Sequence, residues 1–196
     1  MPNKTANPWT ILLTRPIYEN RWIRVVEHEV LNPAGKPGIY GVVHLQNLAT
    51  GVIPIDADGY TTLVGQYRFP LKSYSWEIPE GGGDPGVDPL ESARRELAEE
   101  TGLIAREWMP LLTMHLSNSI TDETAYCFLA WDLEQGVAEP EETEDLRLRR
   151  LPFAEAYAMA MRGEITDAMA VASLMKARLL ALEGALPDAV AGLILR

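Results

Sequence analysis

The chain has 196 residues, 47% hydrophobic and 23% charged, which suits a folded domain and excludes an intrinsically disordered chain. A net charge of -11 disfavours a general nucleic-acid binder, which would need a basic face. The one cysteine, Cys127, excludes an intramolecular disulfide and a zinc site of several thiolates. No segment reaches the roughly 20 apolar residues that span a bilayer, so we expect a cytoplasmic protein without a membrane partner.

The N-terminal part of the chain is predicted to be rich in β-strands. Residues 21–30 are β-rich and partly alternating, residues 32–38 read as a turn, and residues 39–47 supply the return strand of a hairpin. Residues 52–55 and 60–67 are predicted to form a second strand pair, joined by a turn.

A helix is predicted from Pro89 to Thr101, after a glycine-rich loop. Asp88 can cap the free N–H groups of its first turn, and proline suits the first helical position. Gly102 supplies the stop signal.

The rest of the chain is predicted to alternate between strands and helices. Its predicted elements are strands near 107–116 and 124–133, an acidic loop at 139–145, a short strand at 146–151, and helices near 153–162 and 167–183. This order indicates an α/β fold in which helices cover a sheet.

Three glutamates of the predicted helix carry the candidate chemistry. Glu96, Glu99 and Glu100 stand at i, i+3 and i+4, so their Cβ atoms lie roughly 5–6 Å apart on one helix face. Three adjacent carboxylates can bind hard divalent cations, although acidic helix faces that are merely solvated are also common. The glycine-rich loop at 79–83 favours the metal interpretation, because a metal face beside such a loop suits phosphate chemistry.

These residues resemble the Nudix signature G-x5-E-x7-R-E-U-x-E-E-x-G-U, in which U is aliphatic. Gly81 is followed after the correct spacing by Arg95-Glu96-Leu97-Ala98-Glu99-Glu100-Thr101-Gly102-Leu103. The departure is Val87, which stands where the family has its first glutamate. By the resemblance, that glutamate supports the loop, the helix and the arginine, so Arg95 needs another partner here.

The resemblance implies a set of metal ligands and supporting residues. Glu96, Glu99 and Glu100 would bind Mg²⁺, or Mn²⁺ as a substitute, with Glu99 and Glu100 also counted as catalytic. The backbone carbonyl next to Gly81, assigned to Glu80, would complete the set. Arg95 and Gly102 would support the motif.

The chain looks most similar to the ADP-ribose and nucleoside diphosphate sugar pyrophosphatases. The segments at 65–68, 76–81 and 163–168 carry this similarity. It implies a Nudix α/β/α sandwich with a mixed sheet, plus N-terminal antiparallel strands. We assign residues 1–50 to the N-terminal strand region, a possible dimerisation element, 51–185 to the Nudix domain and 186–196 to a C-terminal tail. A homodimer is expected.

Further site residues are assigned on the same resemblance. We expect Glu142 to act as the catalytic base and Glu144 as an extra metal ligand, unless the acidic loop is only solvated; Glu123 is the alternative base. The expected substrate contacts are Arg68, Trp22, Trp76, Glu77, Gly81 and Glu123. Arg68 could instead form an ion pair, and the tryptophans could lie in the core or in a dimer interface.

Three functions follow from the sequence. The first is metal-dependent hydrolysis of the pyrophosphate of ADP-ribose or a related nucleoside diphosphate sugar. The second is a Nudix hydrolase of nucleoside triphosphates or dinucleoside polyphosphates. The third is a binding module that senses a nucleotide sugar without cleaving it, an alternative that rests on Val87.

Overall fold

The computed structural model describes residues 6–139 and 145–196, and the chain divides into two compact units. Unit 1 comprises Met1–Asn47 and His115–Glu123, and unit 2 comprises Leu48–Met114 and Thr124–Arg196. In chain order, the described elements are β1 (Thr10–Glu19), β2 (Ile23–Leu31), β3 (Pro37–Leu45), β4 (Leu48–Ile55), β5 (Tyr60–Arg68), β6 (Ser73–Glu77), β7 (Glu80–Gly83), α1 (Pro89–Thr101), β8 (Leu103–His115), β9 (Thr124–Gln135), β10 (Arg147–Pro152), α2 (Phe153–Met161), α3 (Ala168–Leu182) and α4 (Asp188–Ile194).

Unit 1 is built on a three-stranded antiparallel sheet in the order β1-β2-β3. The predicted hairpin of residues 21–47 is confirmed, with Ile23 opposite Leu45 and Leu31 opposite Pro37. Asn32 closes the turn, because its side-chain oxygen accepts hydrogen bonds from the backbone N–H groups of Ala34 and Lys36. The sequence had not separated β1 from the rest of the N-terminal region.

Unit 2 contains two sheets. One has the order β7-β4-β9-β8, with β4 antiparallel to β7 and parallel to β9, and the other is antiparallel in the order β10-β5-β6. The predicted pairing of residues 52–55 with 60–67 is therefore wrong, although both strands exist. The turn forms, since Asp56 N–H donates to the Tyr60 carbonyl at 3.0 Å. β4 pairs with β9 over residues 49–55 and with β7 over residues 48–51, whereas β5 pairs with β10 and β6.

Helices cover both faces of the sheet that contains β4. Val52 packs with Ala93 and Leu97 of α1 in one apolar cluster. Ile53 and Ile55 belong to a second cluster, which includes residues of α2, α3 and α4. Alternate residues of a strand point to opposite faces, so β4 divides the two clusters. The expected α/β/α sandwich with a mixed sheet is confirmed.

The helix α1 has the bounds that the sequence predicts, Pro89–Thr101. The side chain of Asp88 accepts a hydrogen bond from Leu90 N–H at 2.9 Å. Gly102 ends the helix with φ of 71°, and its N–H donates to the Ala98 carbonyl. Local signals therefore fix where α1 begins and ends, and with this the position of its glutamates along the helix.

The C-terminal residues form a helix that belongs to the core of unit 2. In α4, Val190 and Ile194 are fully buried, and both lie in the cluster that contains Ile53. The predicted helices near 153–162 and 167–183 are confirmed as α2 and α3. In the part of the chain that the structure describes, no helix is long and apolar enough to cross a membrane.

Candidate metal-binding active site

The three motif glutamates of α1, Glu96, Glu99 and Glu100, differ in their exposure. Glu96 and Glu100 are buried, whereas the side chain of Glu99 is 36% exposed. Glu100 turns towards β7, where its Oε2 accepts a hydrogen bond from Glu80 N–H at 2.9 Å. Since a carboxylate is rarely buried without compensating partners, this helix face is not simply a solvated acidic surface.

Gly81 of β7 lies directly against the Glu96 carboxylate. A Cβ at position 81 would fall 2.3 Å from Glu96 Cδ and 2.6 Å from Oε1, a separation at which something must move. The absence of a side chain therefore lets strand and carboxylate approach closely. A donor set of carboxylate and backbone oxygens beside such a strand fits a hard divalent cation of the Mg²⁺ type.

Arg95 is held by three acceptors around this face. It donates to Glu99 Oε2 and to the Gly82 carbonyl, both at 2.7 Å, and lies 2.8 Å from Glu96 Oε1. Partial burial lowers the pKa of Arg95, but the charges and hydrogen bonds of Glu96 and Glu99 raise it more, so the net shift is upward. These contacts supply the partners that Arg95 needs when Val87 replaces the family's glutamate.

Arg68, at the end of β5, is held by two glutamates. Its Nε and Nη2 donate to Glu77 at 2.9 and 2.5 Å, and Nη2 also contacts Glu80 Oε1 at 3.1 Å. Glu77 is buried, so this pair is an internal ion pair and not a surface one. The side chain of Arg68 is still 35% exposed, so its contact with a substrate phosphate stays a prediction.

The carboxylate of Asp167, at the start of α3, lies close to those of Glu77 and Glu80. One oxygen each from Glu77, Glu80 and Asp167 lies within 4.8 Å of the others. Burial is the largest cause that raises the pKa of Asp167. Burial, followed by the charges of Asp167 and Glu77, raises the pKa of Glu80 well above its ordinary value. The structure therefore brings three acidic side chains together at a place where solvent has little access.

Asp167 is a site residue that the sequence did not predict. An aspartate before a helix is a typical N-cap, so this local role can be predicted from the sequence. In the structure, the Asp167 side chain accepts a hydrogen bond from Ala170 N–H at 2.7 Å. The proximity of Asp167 to Glu80 cannot be predicted from the sequence, because the two residues are far apart in the chain and are brought together by the packing of α3.

The remaining predicted substrate residues lie in different places. Trp76 in unit 2 packs against the large apolar cluster, and its ring lies edge-on to Tyr74, with centroids 5.6 Å apart. Trp22 in unit 1 is exposed, with the Arg21 guanidinium 4.1 Å from its ring centroid.

Of the three candidate bases, the structure describes Glu123 alone. Glu123 belongs to unit 1, and its pKa is raised by burial and by the charge of Asp122. Glu142 and Glu144 lie outside the described residues.

Comparison with known proteins gives two family matches. The NUDIX domain matches residues 45–172, and the nucleoside diphosphate sugar hydrolase N-terminal domain matches residues 9–43. The first match covers more than half of the chain and includes α1 with Glu96, Glu99 and Glu100.

Individual relatives agree with these matches. An ADP-ribose pyrophosphatase of Mycobacterium tuberculosis is 34% identical over 65% of this chain and 63% of its own length. Another from Bacillus subtilis is 29% identical over 78% of this chain and 83% of its own length. A crystal structure of an ADP compounds hydrolase superposes with a TM-score of 0.82 at 25% identity, covering 94% of this chain and all of the other. The chain therefore belongs to the Nudix hydrolase family.

Proposed function

We propose that this protein hydrolyses the pyrophosphate bond of ADP-ribose or a related nucleoside diphosphate sugar, giving a nucleoside monophosphate and a sugar phosphate. The observation that carries the proposal is the burial of Glu96 and Glu100 beside β7, where Gly81 leaves room for the Glu96 carboxylate. The names of the M. tuberculosis and B. subtilis relatives support the choice of substrate.

We propose Mg²⁺ as the cofactor, with Mn²⁺ as a substitute. Glu96, Glu99, Glu100 and the backbone carbonyl of Glu80 would hold it. When bound, the ion would neutralise charge on the phosphate oxygens and lower the pKa of a bound water. Arg95 keeps the carboxylates of Glu96 and Glu99 in place, since it contacts both.

The base for water attack is proposed to come from the acidic loop. Glu142 is the proposed base, Glu144 the extra ligand and Glu123 the alternative base. A carboxylate from a loop can reach the substrate when the loop closes, and a base is effective only within hydrogen-bond reach of the proton that it takes.

A homodimer is proposed for the functional protein. In unit 1, β1 exposes Ile11, Leu13 and Ile17, which are 46–59% accessible, and Trp22 follows it at 56%. Contiguous exposed apolar side chains of this kind are typical of protein interfaces. A cytoplasmic location is proposed with it, as the sequence predicts.

The test is product release from a substrate panel, each compound assayed with Mg²⁺ and with chelator. The panel contains ADP-ribose, GDP-mannose, UDP-glucose, diadenosine polyphosphates and dGTP. Magnesium-dependent AMP or GMP together with a sugar phosphate is the expected result. Cleavage of dGTP or of the dinucleotides alone would reject the substrate class, and binding of a nucleotide sugar without any cleavage would indicate a sensor.

A further inference from the structure

The cluster of Glu77, Glu80 and Asp167 is built from three separate elements. Glu77 ends β6, Glu80 begins β7, and Asp167 caps α3. It is therefore a tertiary arrangement, distinct from the three glutamates that α1 places together by helical spacing alone.

Among the residues that the structure describes, the charge of this cluster is only partly balanced. Three carboxylates face one guanidinium, that of Arg68, which contacts Glu77 and Glu80. Two negative charges would thus stay uncompensated when all three carboxylates are ionised. Glu77 is buried and the side chain of Glu80 is only 10% exposed, so solvent screens these charges poorly.

One oxygen in the cluster, Glu80 Oε2, accepts no hydrogen bond from an N–H donor among the described residues. Glu80 Oε1 contacts Arg68 Nη2 at 3.1 Å, whereas Glu80 Oε2 is buried and has no hydrogen-bond donor among the described residues. A buried acceptor without a donor is costly, and such groups in native proteins often contact a bound ion or an ordered water. This observation is independent of the acidity of the cluster, and it points to a ligand.

The spacing and chemistry of the donors fit a small hard cation. One oxygen from each carboxylate lies within 4.8 Å of the others. Oxygens bound to one Mg²⁺ or Ca²⁺ are at most about 4 to 5 Å apart, given metal–oxygen distances of about 2.0–2.6 Å. An ion of charge two would also balance the two uncompensated negative charges.

We propose that Glu77, Glu80 and Asp167 form a second divalent-cation site, separate from the site on α1, that binds Mg²⁺ or Mn²⁺. The two sites are neighbours, because Glu80 N–H donates to Glu100 while its side chain belongs to the cluster. The second ion would hold β6, β7 and the start of α3 together. The proposal concerns binding alone and does not depend on turnover.

The competing explanation is a proton. Glu80 and Asp167 are close enough to share a hydrogen bond between their side chains, which requires one of them to be protonated. A shared proton would remove one of the two excess charges. The experiment therefore has to distinguish a bound cation from a bound proton.

The test is an equilibrium titration of the chelator-stripped full chain with Mn²⁺, with free Mn²⁺ measured by electron paramagnetic resonance. Asp167→Asn is the main variant, because asparagine also caps helices and keeps an oxygen for Ala170 N–H. Glu77→Gln is the second variant, and circular dichroism verifies the fold of both. Glu164→Gln is the matched control, since it removes an exposed carboxylate that pairs with Arg162.

In wild type, we expect two distinguishable Mn²⁺ sites, both displaced by Mg²⁺. Asp167→Asn and Glu77→Gln should each remove one equivalent or weaken it roughly tenfold or more, as loss of a ligand does. Glu99→Gln should affect the other equivalent, and Glu164→Gln neither.

Two results would overturn the proposal. Wild-type stoichiometry and affinity in both cluster variants would mean that protons balance the cluster. Loss of the same single equivalent in Asp167→Asn and Glu99→Gln would mean that one site uses both sets of residues. A normal substrate profile together with either result would leave the proposed function intact.

Discussion

The carboxylate of Glu96 occupies the space that a side chain on residue 81 would need. A Cβ built on Gly81 lies 2.3 Å from both Cδ and Oε2 of Glu96. Gly81 is thus required for close approach and not for an unusual backbone angle, since its φ does not lie in the left-handed region. Gly81 and Glu96 therefore act as one steric unit.

Gly81→Ala should therefore reduce kcat/KM by roughly 10- to 100-fold, because the added methyl displaces the Glu96 carboxylate, a proposed metal ligand, by about an ångström. Gly192→Ala is the matched control, since it adds the same methyl to α4, where nothing lies within 4 Å. The control should keep full activity and gain about 0.5–1 kcal/mol of stability. Equal kcat/KM values in the two variants would refute the steric argument.

Glu99→Gln and Glu100→Gln should each lower turnover by roughly 100-fold or more, since each removes a charge from the proposed metal-binding face of α1. The fold should be preserved, because the glutamine oxygen at position 100 can still accept from Glu80 N–H. Glu91→Gln is the control on the same helix, where Glu91 is exposed and pairs with Arg94. Near-normal rates in both test variants would reject the metal-face assignment.

Val87→Glu, which restores the family's residue, should change kcat/KM by no more than about threefold, as is usual for exposed positions. Val87 is 43% exposed, and Arg95 already contacts Glu96, Glu99 and the Gly82 carbonyl. Steady-state kinetics with Mg²⁺ would test this. A tenfold or larger gain would show that Arg95 is poorly held in the natural sequence.

Without metal, the stability of wild type relative to Asp167→Asn should fall as pH rises. Burial raises the pKa of Asp167 above its ordinary value, so the folded state retains a proton that the unfolded state releases. The folded state is therefore penalised from about pH 4 upward, and not below it. Urea unfolding at several pH values with chelator should show that the free energy of unfolding of the variant rises relative to that of wild type as the pH approaches neutral. A pH-independent difference would contradict this assignment.

Ile194→Ala should destabilise the protein by about 2–5 kcal/mol, the usual range for a fully buried side chain of this size. The neighbouring Leu195→Ala is the control, because Leu195 is 39% exposed and its truncation should cost much less. Urea unfolding measures both. Equal losses would mean that α4 does not pack on the core as the structure shows.

The sequence predicted those features that depend on neighbouring residues. The bounds of α1 follow from Asp88, Pro89 and Gly102, all within or next to the helix. The hairpin around Asn32 is local in the same way. Strand pairing is not local, so the turn at Asp56 was found while the sheet that each flanking strand joins was not.

In the candidate site, too, the features that depend on neighbouring residues were predicted and those that depend on tertiary packing were not. Helical spacing alone brings Glu96, Glu99 and Glu100 together, and the motif identified them. The partners of Arg68 and the position of Asp167 depend on how β5, β6, β7 and α3 pack, which no spacing in the sequence encodes. Burial also separates Glu99 from its two neighbours, a difference that the signature does not contain.

The parallel pairing of β4 with β9 has a consequence for the order of folding. The cluster that anchors α1 includes Val52 of β4 but also Phe128 and Ala130 of β9. Contacts between distant parts of a chain form slowly, because a long loop must first close. A nascent chain that ends before β9 would already contain all three glutamates, yet not the surface that orients them. The motif is contiguous in sequence, but its geometry is completed only when the later strand arrives.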